Sequence, residues 1–336
     1  MRYLKLIFLA LGLGLLSWVL QQANLPEIWQ QVQSISALGI VAVFIIYAAY
    51  FGADVVSWQV TLDTIEMNAR WAGRLFVVRM IGEAYNNVTP LASMGGEPIK
   101  AWLLKTNYDI ALRDSGTSLV LAKTASMFSL VIFATIGFLL AFVHENLTSV
   151  HKIIIAAGLG WLVFNVVVFF LMQHLRLSTF TATKLGKTRL GRRLGRLLSG
   201  MQEMDDQFAY FYRHQRHRLG LSMLFAMLNW LLGVVELYVI LTLIGHPVSW
   251  SEAWLIEAAV QMIRTVAFFI PAGIGAQEGA LMLTCSVITG SPTVGVSAAL
   301  VRRFRELIWT GASLLLALGY RVGPNMATRI ASTSDG

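Results

Sequence analysis

TPLASMGGEPIKAWLL, residues 89–104, and IPAGIGAQEGALMLTC, residues 270–285, read as two copies of one segment set about 180 residues apart. Aligned without gaps, Pro90 falls on Pro271 and Glu97 on Glu278. Each copy then leads into a long apolar run that carries cations: Lys123 after the first, and Arg302, Arg303 and Arg305 with Glu306 after the second. Charges inside a run apolar enough to cross a bilayer are costly and mark function by default. A duplicated apolar segment broken by Pro and Gly, with charges at its core, is the pattern of a membrane transporter built from repeats.

Composition agrees. The 336 residues are 56% hydrophobic and only 13% charged, against about 25% charged in soluble domains. A single cysteine, Cys285, excludes an internal disulfide framework and a cysteine-based zinc cluster. The six histidines offer no ligand spacing better than His214 and His217, which sit in a basic stretch. Neither a metal nor a cofactor is expected. A net charge of +8 would suggest nucleic acid in a soluble chain, but here the basic residues concentrate in loops. That placement marks a cytoplasmic face and excludes nucleic acid as a partner.

The pattern predicts an all-α polytopic membrane protein, one membrane domain over 1–336. Apolar runs at about 4–20, 37–60, 114–143, 152–173, 219–245 and 295–321 are each near or above the roughly 20 residues that cross a bilayer. Two more apolar regions, about 69–104 and 250–287, are interrupted by the paired motifs and cannot be continuous helices. Each is expected to be a re-entrant hairpin with its break at Pro90, Gly95 and Gly96, or at Pro271, Gly273 and Gly275. Non-helical backbone at that depth persists only where protein or a water-filled cavity surrounds it. Repeat 1 then covers about 69–143 and repeat 2 about 250–321.

Loop charges give the repeat a direction. Residues 174–218 hold ten Lys/Arg against three acids, whereas 21–36, 144–151, 246–249 and 288–294 hold no Lys or Arg. Six spans and two hairpins with both termini in the cytoplasm satisfy the positive-inside rule. The first hairpin enters from the cytoplasm and the second from outside, so the repeat is inverted. Basic residues precede the first run, but no small-residue cleavage pattern follows it, and an uncleaved first span is expected. Within 174–218, Leu190, Leu194, Leu197, Leu198 and Met201 recur at helical spacing among arginines. They describe an interfacial helix on an anionic inner leaflet, or equally an ordinary basic loop.

The intramembrane charges form the candidate site. On one helix Arg302, Arg303, Arg305 and Glu306 share a face, with Arg302 and Glu306 one turn apart and able to pair. Lys100, Lys123 and the three arginines outnumber Glu97, Glu278 and Glu306. A cation excess suits phosphate, which the arginine fork bonds through two oxygens. Half-helix N-termini near Gly95 and Gly275 would add backbone N–H donors. The expected ligand is a phospholipid or lipid-linked phosphate. The competing reading is a closed ion-pair cluster that ties the two repeats together. Asp54, Glu83, Glu236 and Arg264 are also intramembrane and are assigned structural roles.

GGEPIKAWLL after a proline, then IPAGIGAQEGAL followed by ALVRRFRELIW, resembles the flippase-like integral-membrane family that includes the transmembrane region of bacterial lysylphosphatidylglycerol synthases. The likeness spans nearly the whole chain. It implies movement of lipids between leaflets and an association with lipid-glycan or hopanoid pathways. It also implies that Pro90, Gly95, Gly96, Glu97, Pro271, Gly273, Gly275, Glu278, Arg302, Arg303 and Glu306 are the family-type positions. The synthase activity is not implied, because the aminoacyltransferase domain would follow the last span and the sequence ends at Gly336.

The leading expectation is a multi-pass protein of the bacterial inner membrane that carries an anionic or zwitterionic lipid by alternating access. Its partners are membrane lipids, the anionic inner leaflet through 174–218, and lipid-biosynthesis enzymes. No GxxxxGK[ST] loop is present, so energy would come from a gradient, a potential or downhill lipid flow. Two other functions fit the sequence: a membrane-embedded lipid transferase with Glu97 or Glu278 as base, and a scaffold that recruits pathway enzymes. The absence of a sizeable extramembrane domain argues against the enzyme.

Overall fold

The structure, a computed structural model, describes residues 2–88, 96–144, 147–174, 211, 213–267, 270 and 273–320. Among these, all regular structure is helical. Pro90, Gly95, Pro271 and the segment 185–204 lie outside the described residues.

The helices are α1 (Arg2–Gln22), α2 (Leu25–Gln33), α3 (Ala37–Thr61), α4 (Ala69–Val88), α5 (Gly96–Tyr108), α6 (Leu112–Val143) and α7 (Ser149–His174). They continue with α8 (Arg216–Leu243), α9 (Trp250–Val266), α10 (Ala276–Thr289) and α11 (Pro292–Gly319). The six apolar runs of the sequence coincide with α1, α3, α6, α7, α8 and α11. Four of them, α3, α6, α7 and α8, are long and apolar enough to cross a membrane. α11 has the length but not the apolarity, since Arg302, Arg303, Arg305 and Glu306 occupy its middle turns. α5 has 13 residues and α10 has 14. At 1.5 Å per residue each is about 20 Å long, short of the roughly 30 Å hydrocarbon core.

Local sequence fixes several helix starts. Ser36 accepts from the Gly39 N–H at 3.1 Å, and Ser249 with Glu252 forms a reciprocal capping box on α9. Asn24 caps α2, which turns Ile28 and Gln31 inward and Trp29 outward. At the end of α5 the backbone turns at Asp109, with φ 54°. Asparagine and aspartate tolerate this left-handed conformation better than other residues with a side chain. Lys105 donates to Asp109 Oδ1 at 2.6 Å and holds that carboxyl below the usual carboxylate range.

Interhelical polar contacts establish which ends lie together. Arg218 at the start of α8 reaches the Val60 carbonyl near the end of α3, and Arg74 of α4 stacks on Tyr108 at the end of α5. These ends form a basic end of the molecule, with Arg70, Arg74, Lys105, Arg113, Arg213, Arg216 and Arg218. At the opposite end His144 faces Glu252, Gln31 meets His246, and the Asn24 N–H meets Thr293 Oγ1. Lys152, in the first turn of α7, is its basic residue among those described. α4 begins and α5 ends at the basic end. α9 begins at the opposite end, and α10 ends there beside Leu147 and Leu255.

Small and polar side chains join the long helices, as expected where lipid offers no hydrophobic drive for helix association. Ser57 of α3 and Ser222 of α8 each donate to the other's backbone carbonyl, at 2.9 and 3.0 Å. Asn229 donates to the Tyr50 carbonyl, and Trp58 Nε1 to Ser118 Oγ. Such bonds contribute roughly 0.6 kcal/mol each on average. The outward faces are apolar: Ile153, Ile154, Trp161 and Phe164 of α7, and Leu139 and Phe142 of α6, are exposed. An apolar exterior over polar interhelical seams suits a chain surrounded by lipid.

Two glycines show how closely the broken helices approach their neighbours. A Cβ on Gly96 would fall 2.0 Å from the Gly82 carbonyl oxygen of α4. Gly275 has φ +78°, and a Cβ there would lie 2.3 Å from the Gly12 carbonyl oxygen of α1. Each matches a break predicted from the sequence, and each position admits only glycine.

Candidate functional site

The charges inside the helix bundle fall into two clusters. The first is built by α3, α4, α5 and α6. Asp54 of α3 pairs with Arg79 of α4, and Glu83 lies one turn beyond, within electrostatic range of Arg79. On α5, Lys100 Nζ donates to Glu97 Oε1 at 2.7 Å and lies 5.9 Å from the Trp58 ring centroid. Lys100 is buried, with 4% of its side chain exposed, while Glu97 is 40% exposed. Lys123 of α6 is exposed and within electrostatic range of Glu97, with no ion pair among the described residues. α5 and α6 are antiparallel across the short 109–111 connection, so Glu97 and Lys123 stand at one level. Each is about 16 Å along its helix from the basic end.

The second cluster is built by α8, α9, α10 and α11, and it is closed. Arg302 places Nη2 2.8 Å from Glu257 Oε2 and Nε 3.4 Å from Glu236 Oε2, and also donates to the Gly233 carbonyl. Arg305 sets Nε 3.0 Å from Glu236 Oε1 and Nη2 3.6 Å from Glu306, with its guanidinium carbon 3.5 Å from the Tyr47 ring centroid. Arg303 donates through Nε to Glu278 Oε1 at 2.8 Å and through Nη1 to Glu306 Oε2 at 3.2 Å. Gln261 supports Glu257, Gln277 supports Glu306, and the Gly275 N–H donates to Glu278 Oε2. Charges this deep persist because every one is answered by an opposite charge or a hydrogen bond.

These contacts bring together Glu278, Arg302, Arg303, Arg305 and Glu306 in one network and Glu97 with Lys100 in another, with Lys123 in electrostatic range of Glu97 but not in contact with it. They also change the charge count. Three arginines of the second cluster meet four carboxylates, Glu236, Glu257, Glu278 and Glu306. Arg79, Lys100 and Lys123 of the first are matched by Asp54, Glu83 and Glu97. The cation excess read from the sequence is therefore absent, because the balancing acids come from α3, α4, α8 and α9, outside the paired motifs. Arg302 does not pair with Glu306 one turn away; packing turns it toward α8 and α9, and Glu306 serves Arg303 and Arg305. The N-terminal donors expected at the breaks are engaged as well: the Gly96 N–H bonds Asn86 Oδ1 at 2.7 Å, and the Gly275 N–H bonds Glu278.

Sequence reasoning misses Glu257 and Arg79, although both are central here. A signal for them exists: WLIEAAVQMI and FVVRMIGEAY place single charges inside apolar turns. Arg264, by contrast, is exposed on α9. Among the described residues no group of His, Cys, Asp and Glu has metal-binding geometry.

A bundle of apolar-faced helices enclosing paired charges defines a polytopic helical membrane protein with a charged interior. The chain belongs to the family of the lysylphosphatidylglycerol synthase transmembrane region, whose sequence profile matches residues 5–313. It is also similar to the UPF0104 membrane protein of Methanothermobacter thermautotrophicus, 25% identical over 301 residues that cover 84% of each chain. No solved structure matches it.

Proposed function

We propose that this protein moves a lipid between the leaflets of the bacterial inner membrane by alternating access, with the basic end in the cytoplasm. α4–α5 and α9–α10 act as inverted re-entrant hairpins. The observation that carries this reading is an asymmetry between matched residues: Glu97 is 40% exposed, whereas Glu278 is 5% exposed and clasped by Arg303. Inverted repeats are equivalent in sequence but take different conformations in any one state, and exchanging those conformations opens the opposite side. Glu97 lies about 16 Å from the end of α5 and Glu278 the same distance from the end of α10. Hairpins entering from opposite faces would thus bring both carboxylates near the centre of a roughly 30 Å core. Balanced charge favours a zwitterionic headgroup within the anionic or zwitterionic class, with Lys123 meeting phosphate and Glu97 meeting an amine.

The closed arginine network supports a second reading, in which the second cluster only holds the helices together. Purified protein in liposomes, assayed for leaflet exchange of labelled phosphatidylethanolamine, separates the two. Transport requires that Glu278→Gln and Arg303→Ala each slow exchange at least tenfold per folded molecule. Full exchange alongside a lowered melting temperature would assign the network to structure alone. Chemically altered lipid would instead favour the transferase. Neither movement nor product would favour the scaffold.

A further inference from the structure

The ion pairs of the second cluster link into one chain of alternating charge: Glu257, Arg302, Glu236, Arg305, Glu306, Arg303 and Glu278, with every step at 3.6 Å or less. Each arginine stands between two carboxylates, and the chain begins and ends on an acid. Four carboxylates against three arginines leave one negative charge in excess. Arg302, Arg305, Glu236, Glu257 and Glu278 are each no more than 6% exposed, and the chain opens outward at Arg303 and Glu306, 20% and 24% exposed. An uncompensated carboxylate at such depth carries a large desolvation cost, which uptake of a proton removes.

Among the described residues, nothing packed around the chain pairs with the excess charge. α3 brings Tyr47 against Arg305 and Tyr50 within electrostatic range of Glu257, and α4 brings Glu83 within range of Tyr47. α8 adds the Gly233 carbonyl, α9 adds Gln261, and α10 adds Gln277 and the Cys285 thiol. These groups are neutral or acidic. Arg79 and Arg264 also act on Tyr50, but Arg79 pairs with Asp54, and Arg264 is exposed with no ion pair among the described residues. A proton adds no volume, so the close packing of these side chains does not exclude it.

We infer that this chain of ion pairs is a proton-binding site, holding one exchangeable proton that its four carboxyl groups share. Carboxyl groups that interact this strongly titrate as a set, so the proton belongs to the chain and not to one residue. Only the step that releases it rests on the lipid-transport reading, in which Glu278 exchanges its clasped state for an open one like that of Glu97. Glu278 then leaves the end of the chain as a hydrated carboxylate, and three acids face three arginines. No excess charge remains to hold the proton, which passes to water; closing takes one up again. A ligand that binds one state favours that state, so acid favours the clasped conformation. The proton is thereby the coupling ion of the transport cycle.

Infrared difference spectroscopy of the full-length protein in lipid nanodiscs reads the proton directly, because a carboxylic acid has a C=O stretch that a carboxylate lacks. The wild type should show one such band at neutral pH and lose it as the pH is raised. Glu257→Gln and Glu278→Gln remove the acids at the two ends of the chain, on different helices, and leave every arginine facing a carboxylate. Each should abolish the band, whereas Glu97→Gln, in the first cluster, should retain it. A folded wild type without the band overturns the inference, since all four carboxyl groups are then ionised. A band that survives in both end variants overturns it too, as does one lost in only one of them, which would belong to that residue alone. In liposomes an imposed pH gradient should change the rate of leaflet exchange of labelled phosphatidylethanolamine by the wild type; exchange indifferent to the gradient overturns the coupling. A band without leaflet exchange refutes transport and leaves the proton site standing. Exchange without the band does the reverse.

Discussion

Glu236 is the residue on which the closed network turns. Its two carboxylate oxygens face different arginines, Arg302 and Arg305, so one side chain answers two buried cations. Removing one partner from a buried ion pair costs roughly 3–5 kcal/mol, because a charge is left without compensation in a medium of low polarity. Glu236→Gln should therefore cost more than Glu257→Gln, since Arg302 without Glu257 keeps Glu236 and the Gly233 carbonyl. Unfolding in mixed detergent and sodium dodecyl sulfate measures both, and an equal or smaller loss for Glu236→Gln would refute the bridging role. Arg302, Arg303, Arg305 and Glu306 are visible in the sequence because charges inside an apolar run stand out. Their partners are not. Pairing along one helix follows from spacing, but the choice of Glu257 over Glu306 by Arg302 depends on how α9 and α11 pack, which periodicity does not encode.

At the scale of the elements, α5 and α10 begin at glycines that lie against the backbone of a neighbouring helix. Gly96→Ala would drive a methyl into the Gly82 backbone, where no side-chain rotation can relieve the overlap. α4 and α5 must then separate, with a loss of several kcal/mol in the range of overpacked cores. Gly160→Ala on α7 meets no atom within 4 Å, and alanine's helix propensity should stabilise the protein by about 0.5–1 kcal/mol. Thermal melts of the two purified variants, normalised to wild type, check both signs. A Gly96→Ala protein as stable as wild type would mean that α4 and α5 are not held at this distance. The paired motifs disclose these breaks in the sequence because proline and glycine act locally. The lateral order of the helices is not legible there. Faces such as those of α6 and α7 are apolar nearly all round, so hydrophobic periodicity carries little information about which side meets protein and which meets lipid.

Across the whole molecule, charge is distributed by end. Basic side chains gather where α4, α6 and α8 begin, while Lys152 is the basic residue described at the opposite end. Helix–helix contacts place those ends together without reference to any membrane, yet they reproduce the partition drawn from loop charges. Interhelical hydrogen bonds and ring contacts are physically distinct from the membrane's preference for retaining Lys and Arg in the cytoplasm. Their agreement supports an orientation that labelling can test. The one cysteine, Cys285, is buried and free, so Cys285→Ser provides a background without reactive thiol. In that background Lys105→Cys, at an exposed site of the basic end, should resist a membrane-impermeant maleimide in intact spheroplasts and react after lysis. His246→Cys, at the opposite end beside Gln31, should react before lysis. Labelling of Lys105→Cys in intact cells would reverse the orientation, and with it the assignment of the open Glu97 cluster to the cytoplasmic side. Labelling of both positions would mean that α4–α5 does not return to the side it enters from.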